Sequence, residues 1–202
     1  MDDRRFLGGL SGGASFLAVA GAFWLGLGIS ALAGKAEWWV FAPLTLLQAG
    51  SAVGLLWAAT RLRRRTRSLF PKQERSDGRE KQEVRHILVW FCWTALVQAI
   101  LIGAAVWWCL HTHEEQMIWP AIGLIVSLHF APLARIFHVR AYYATACAGI
   151  IISLTAFTWV TAAYGLTFLG GALAAVMWIS AVYILSRSQA IVHQAIHEKW
   201  LV

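Results

Sequence analysis

The chain has 202 residues, 59% of them hydrophobic and 13% charged, with a mean hydropathy of +0.61, against about 45–50% apolar residues in soluble domains. A water-soluble globule cannot hide that much apolar surface, and the composition points instead to an all-α polytopic membrane protein in one domain. The net charge of +7 would suit nucleic acid if the basic residues formed one surface. They fall between apolar runs, which favours membrane topology and anionic headgroups over nucleic acid.

Taken in order, residues 1–13 place Arg4 and Arg5 ahead of a first apolar run, about 14–33. That run is longer than a signal-peptide core and reads as a retained span. Gly21, Gly26 and Gly28 give it a slim surface on which another helix can sit closely. The second span, about 38–60, carries Pro43, Gln48, and Gly50 and Gly54 at GxxxG spacing, expected to form a packing seam within the chain in preference to a dimer interface. Residues 61–86 hold ten Lys or Arg against four Asp or Glu and read as a solvated basic loop. Its Arg61, Arg63, Arg64, Arg65 and Arg67 are candidates for contact with anionic lipid or a partner protein.

The third span, about 87–110, contains Thr94 and Gln98; the fourth, about 117–137, contains His129 and Pro132. The fifth, about 141–163, carries Ser153, Thr155, Thr158 and Thr161, hydroxyls that can bond back to their own helix carbonyls. Gly165 opens the sixth, about 166–185, and residues 186–202 are expected to form an amphipathic helix at the interface. With the N-terminus in the cytoplasm, sixteen of the seventeen Lys and Arg lie inside and only Lys35 lies outside. That asymmetry satisfies the positive-inside rule only for an even number of spans, hence six with both termini inside.

An ionisable ring and a helix-kinking proline within hydrocarbon make the fourth span the centre of interest. At about 1.5 Å per residue, His129 lies about 18 Å beyond Met117, and Gln48 and Gln98 fall at similar depth in a core about 30 Å thick. Hydrocarbon offers imidazole no hydrogen bond, and proline leaves the carbonyl one turn back unbonded. Gln48, Gln98, His129 and Pro132 are therefore expected around one midplane polar cavity, able to bind or pass a small uncharged or anionic solute. The competing reading makes each amide an ordinary interhelical bond, of about 0.6 kcal/mol. The chain would then be a non-catalytic membrane scaffold or interaction protein whose basic loop docks on anionic lipid or a partner; either reading is compatible with a homo-oligomer.

Other chemistries find less support. All ten Asp and Glu lie in loops or tails, unlike the intramembrane carboxylates of proton- and cation-coupled carriers such as the small multidrug antiporters. His129 has no second imidazole at its depth to complete a bis-histidine haem site. His193 with His197, and His111 with His113, are incomplete metal sets and read as solvated polar caps. Cys92, Cys109 and Cys147 form no CxxC and read as small hydrophobes within spans. With no nucleophile triad, phosphate loop or HExxH, neither an enzyme nor a cofactor or metal is expected.

Residues 125–149 contain Ser127, His129, Phe130, Pro132, Tyr142 or Tyr143, and Gly149. This pattern resembles a family of uncharacterised small bacterial six-span membrane proteins with His-Phe-x-Pro in the fourth span, where the position of Ser127 is often Gly. The resemblance implies a bacterial plasma membrane and no particular activity.

Overall fold

The computed structural model describes residues 3–32, 38–69, 78–137, 139–158 and 164–200. They form six helices: α1 (Asp3–Ser30), α2 (Trp38–Leu69), α3 (Gly78–His111), α4 (Ile118–Phe137), α5 (Ala141–Thr158) and α6 (Gly165–Trp200), with a 3₁₀ turn at Glu115–Met117. Each holds a stretch long and apolar enough to cross a membrane. The protein is an all-α, six-helix membrane protein.

The described helices overrun two of the expected boundaries. Residues 61–69 and 78–86, expected as loop, are the ends of α2 and α3. Arg, Lys, Glu and Gln are good helix formers, so the helix persists where hydropathy stops. The tail behaves likewise: α6 runs unbroken to Trp200, 36 residues or about 54 Å. Ser188 and Val192 are buried in it, and Val192 shares a core cluster with Leu62 of α2. The tail thus continues as helix, as expected, and as far as Val192 it packs against its neighbours.

The helices are ordered α2, α1, α6, α5, α4, α3 in space. Of the most apolar 18 residues of α6, 44% are buried within the molecule, against 6% for those of α2 and none for those of α3, so α2 and α3 are outlying members that turn most of their apolar surface outward. Gly50 and Gly54 show this directly. Neither has anything near the position of an added Cβ, so they do not form the expected internal seam. The inward side of α2 is the one bearing Ala59 and Leu62.

The slim surface of α1 is used as expected. Gly28 meets the backbone of Thr167 and Gly171, and Gly170 of α6 lies against Trp24 and Gly28 of α1. Gly21 makes room for the Trp178 indole, which donates to the Ala18 carbonyl at 3.2 Å.

The α4–α5 contact is reciprocal. Ser127 of α4 sits over Gly149 of α5, and Ser153 of α5 over Gly123 of α4. Two residues four apart on each antiparallel helix thus interlock, small against small, which is how membrane helices gain close van der Waals contact. Ser127 Oγ bonds back to the Gly123 carbonyl at 2.7 Å. In α5 the expected back-bonds occur at Thr155 and Thr158; Ser153 is the exception, buried with no partner, and Thr161 lies outside the described residues. A buried Thr145–Ser180 hydrogen bond of 2.6 Å joins α5 to α6.

The α3 helix ends where its hydrogen-bond ladder closes on itself. Glu114 N donates to Cys109 O at 2.8 Å and His113 N to Leu110 O at 3.4 Å, with His113 at φ 57°. This is the Schellman pattern, with histidine in the left-handed position that glycine usually takes. His113 thus takes part in stopping a helix.

Candidate functional site: a lateral groove between two helices

Adjacent helical residues point about 100° apart, which divides the roles of His129 and Phe130. Phe130 is buried, with its ring 5.9 Å from that of Tyr142 and 6.4 Å from that of Phe16. His129 turns the other way and lines a cleft of about 380 Å³ between α3 and α4. Trp90, Trp93, Thr94, Val97, Gln98 and Leu101 form its α3 wall; Ile125, Leu128, His129 and Pro132 form its α4 wall. Phe91 and Phe137 pack edge to face, centroids 6.3 Å apart, and join the two helices near their basic ends.

The cleft is a groove on the lipid-facing side of the bundle, not the enclosed cavity expected among three helices. Trp93 is 59% exposed, and Val97 and Leu128 are each 50% exposed. In a bilayer those surfaces meet acyl chains, so access is sideways from the hydrocarbon. Trp90 to Leu101 spans about 16 Å of helix rise, half the thickness of the core.

Gln98, His129 and Pro132 are brought together as expected, and Gln48 is not. Its amide donates to the Ala22 carbonyl of α1 at 2.8 Å, beside Gly26, while α2 packs on α1 and α6. Counting residues fixed its position along the helix but not its direction around it. Of the proposed basic contacts, Arg61 and Arg64 are exposed, and the Arg61 guanidinium lies 5.0 Å from the Trp57 ring centroid. The side chains of Arg63, Arg65 and Arg67, like those of His138 and His197, lie outside the described residues. Cys109 is buried, whereas Cys92 and Cys147 face outward.

The polar groups of the groove divide into satisfied and unsatisfied. Trp90 Nε1 donates to His86 Nε2 at 2.8 Å. Thr94 Oγ1 reaches back to the carbonyls of Phe91 and Trp90 at 2.9 and 3.1 Å. The His129 ring lies against the Thr94 backbone, so its near neighbour is a backbone group and not the Gln48 amide. The Gln98 amide makes no hydrogen bond among the described residues. Pro132 also lines the groove and, having no N–H, gives no hydrogen bond to the carbonyl one turn back.

The Trp90, Thr94 and Gln98 side of this site was legible as an i, i+4, i+8 stripe on one helix face. The pairing of α3 with α4 was not. Comparison with protein-family models, curated proteins and solved structures finds no match to the chain.

Proposed function

We propose that this is an integral membrane protein that binds a small molecule dissolved in the bilayer, received sideways into the α3–α4 groove. One observation carries the reading: within the apolar stretches of α3 and α4, Gln98 and His129 line a groove whose walls are otherwise aromatic and aliphatic apart from Thr94. Unpaired polar groups in hydrocarbon are costly, and a bound molecule with matching groups removes that cost. The volume, the aromatic wall and the few convergent polar groups suit a small-ligand site.

The role is binding rather than permeation. Beyond Gln98, residues 99–110 of α3 are apolar, so the polar path does not continue towards the far end of that helix. The charge asymmetry supports both termini in the cytoplasm, and the resemblance at His129-Phe130-x-Pro132 supports a bacterial plasma membrane. A second reading, docking of the basic end on anionic headgroups, is favoured by the placement of Arg61 over Trp57, an amphipathic pair suited to the interface.

Photolabelling of the protein in lipid nanodiscs with a hydrocarbon-soluble diazirine tests the proposal. Adducts are expected to concentrate on residues 90–101 and 125–132, saturate with excess unlabelled probe, and fall at least fivefold in Leu101→Trp, which fills the groove. Even labelling over all lipid-facing helices, unchanged in that variant, would contradict it.

A further inference from the structure

The two ends of the groove differ in kind, and the basic end narrows the ligand class. Resting on the binding role above, we infer that the groove takes acidic amphiphiles with a single apolar body, the body lying between α3 and α4 and the acid group meeting Arg135 and His86.

Two contacts set the register of the antiparallel pair α3 and α4: Phe91 packs on Phe137, and His129 lies against the Thr94 backbone. Together they bring Arg135 level with the turn of α3 that holds Trp90, one turn along from His86. Helical spacing puts both residues on the groove's face. His86, Trp90, Trp93 and Thr94 follow one another at i, i+4, i+7 and i+8, and Leu128, Pro132 and Arg135 at i, i+4 and i+7. Both are exposed, and among the described residues Arg135 has no ion pair or hydrogen bond. Both are donors. His86 Nε2 accepts from the Trp90 indole at 2.8 Å, so the ring's own N–H is at Nδ1, and a guanidinium only donates. Two donors, one of them permanently charged, match a carboxylate.

The dimensions agree. Trp90 to Leu101 covers about half the hydrocarbon thickness, the depth that a molecule of one leaflet reaches with its polar end at the interface. A volume of about 380 Å³ lies near the lower end for small-ligand sites, room for one chain or fused ring and not for the paired chains of a phospholipid. Trp90 and Trp93 supply an aromatic wall for that body. No Asp, Glu, Lys or Arg lines the groove itself, so a charge has its place at the end and not along the walls.

The test compares 6-hydroxy-2-naphthoic acid with 2-naphthol, which lacks only the carboxyl group. Binding to the full chain in phosphatidylcholine nanodiscs is measured by equilibrium dialysis, at a pH that ionises the acid, and compared at equal probe content of protein-free nanodiscs. The wild type is expected to bind the acid about tenfold more tightly, the scale of one hydrogen bond to a charged group. In Arg135→Gln that preference should fall below about threefold while the naphthol binds as before. Arg187→Gln, at an exposed position of α6, should leave the preference intact, and Leu101→Trp should weaken both probes at least fivefold. Equal binding of the two probes, a preference unmoved by Arg135→Gln, or one lost equally in Arg187→Gln overturns the acid site while leaving the groove as a binding site. Displacement of the acid by phosphatidylglycerol at equal content in the disc overturns the single-body class in favour of a phospholipid. Absence of saturable binding, or binding indifferent to Leu101→Trp, overturns the groove reading and this inference with it.

Discussion

Gly170→Ala is expected to destabilise the protein by about 3 kcal/mol or more, while Gly171→Ala, one residue along, costs nothing. An added Cβ at 170 would lie 2.6 Å from Gly28 N and 2.8 Å from Gly28 Cα, and against the Trp24 carbonyl as well. All three are backbone atoms of α1, which no rotamer change can move. The whole helix would have to retreat, loosening the most extensive interface in the molecule. At 171 there is nothing within 4 Å, and replacing a helical glycine by alanine there should help by up to about 1 kcal/mol. Gly28→Ala, with contacts of 3.2–3.4 Å, should fall between. Unfolding by SDS in mixed micelles ranks the three; equal effects at 170 and 171 would mean that α1 and α6 are not in this register.

The second large effect is expected where α4 meets α5, and it should be reversible by a second substitution. A Cβ on Gly149 would collide with Ser127 Oγ and come within 2.9 Å of Ser127 Cβ. Ser127 is buried, and its hydroxyl is held by the Gly123 carbonyl. Gly149→Ala should therefore cost about 2 kcal/mol. In a Ser127→Gly background the same change should cost close to nothing, because the space has been transferred across the interface. A double-mutant cycle on SDS unfolding should return about 2 kcal/mol of coupling. Additive effects would mean that the two residues do not face each other.

How far the amino-acid sequence speaks for this architecture depends on what each signal measures. Six spans were legible because hydropathy integrates over some twenty residues and the bilayer permits few other structures. The ends of α2 and α3 were misplaced because Arg61 to Leu69 and Gly78 to His86 lose apolarity without losing helix propensity. Position along each helix was legible as well, since rise per residue is constant. Direction was not: each residue turns about 100°, and which helices are neighbours is a tertiary fact. Gln48 therefore bonds to α1, whereas Gln98 lies in the same groove as His129. Gly50 and Gly54 were misread for the same reason, since a small-residue spacing shows that a close approach is permitted, not that it occurs. The interlocking of Gly123 with Ser153 and of Ser127 with Gly149 needed the partner helix to be known.

His129 itself illustrates both sides. Its need for a partner followed from the solvent around it. The partner proved to be a neighbouring backbone and an open groove, because Phe130 takes the inward position and leaves the histidine facing α3.

The most direct measurement is nitrogen-15 NMR of the imidazoles in the histidine-labelled protein in bilayers, titrated with 2-naphthol, with the His129 signal assigned by its loss in His129→Gln. Occupation of the groove should shift the His129 resonances saturably and leave those of His111 and His113, at the far end of α3, in place. Saturable binding of the naphthol with the His129 signals unmoved would contradict the assignment of this groove as the ligand site.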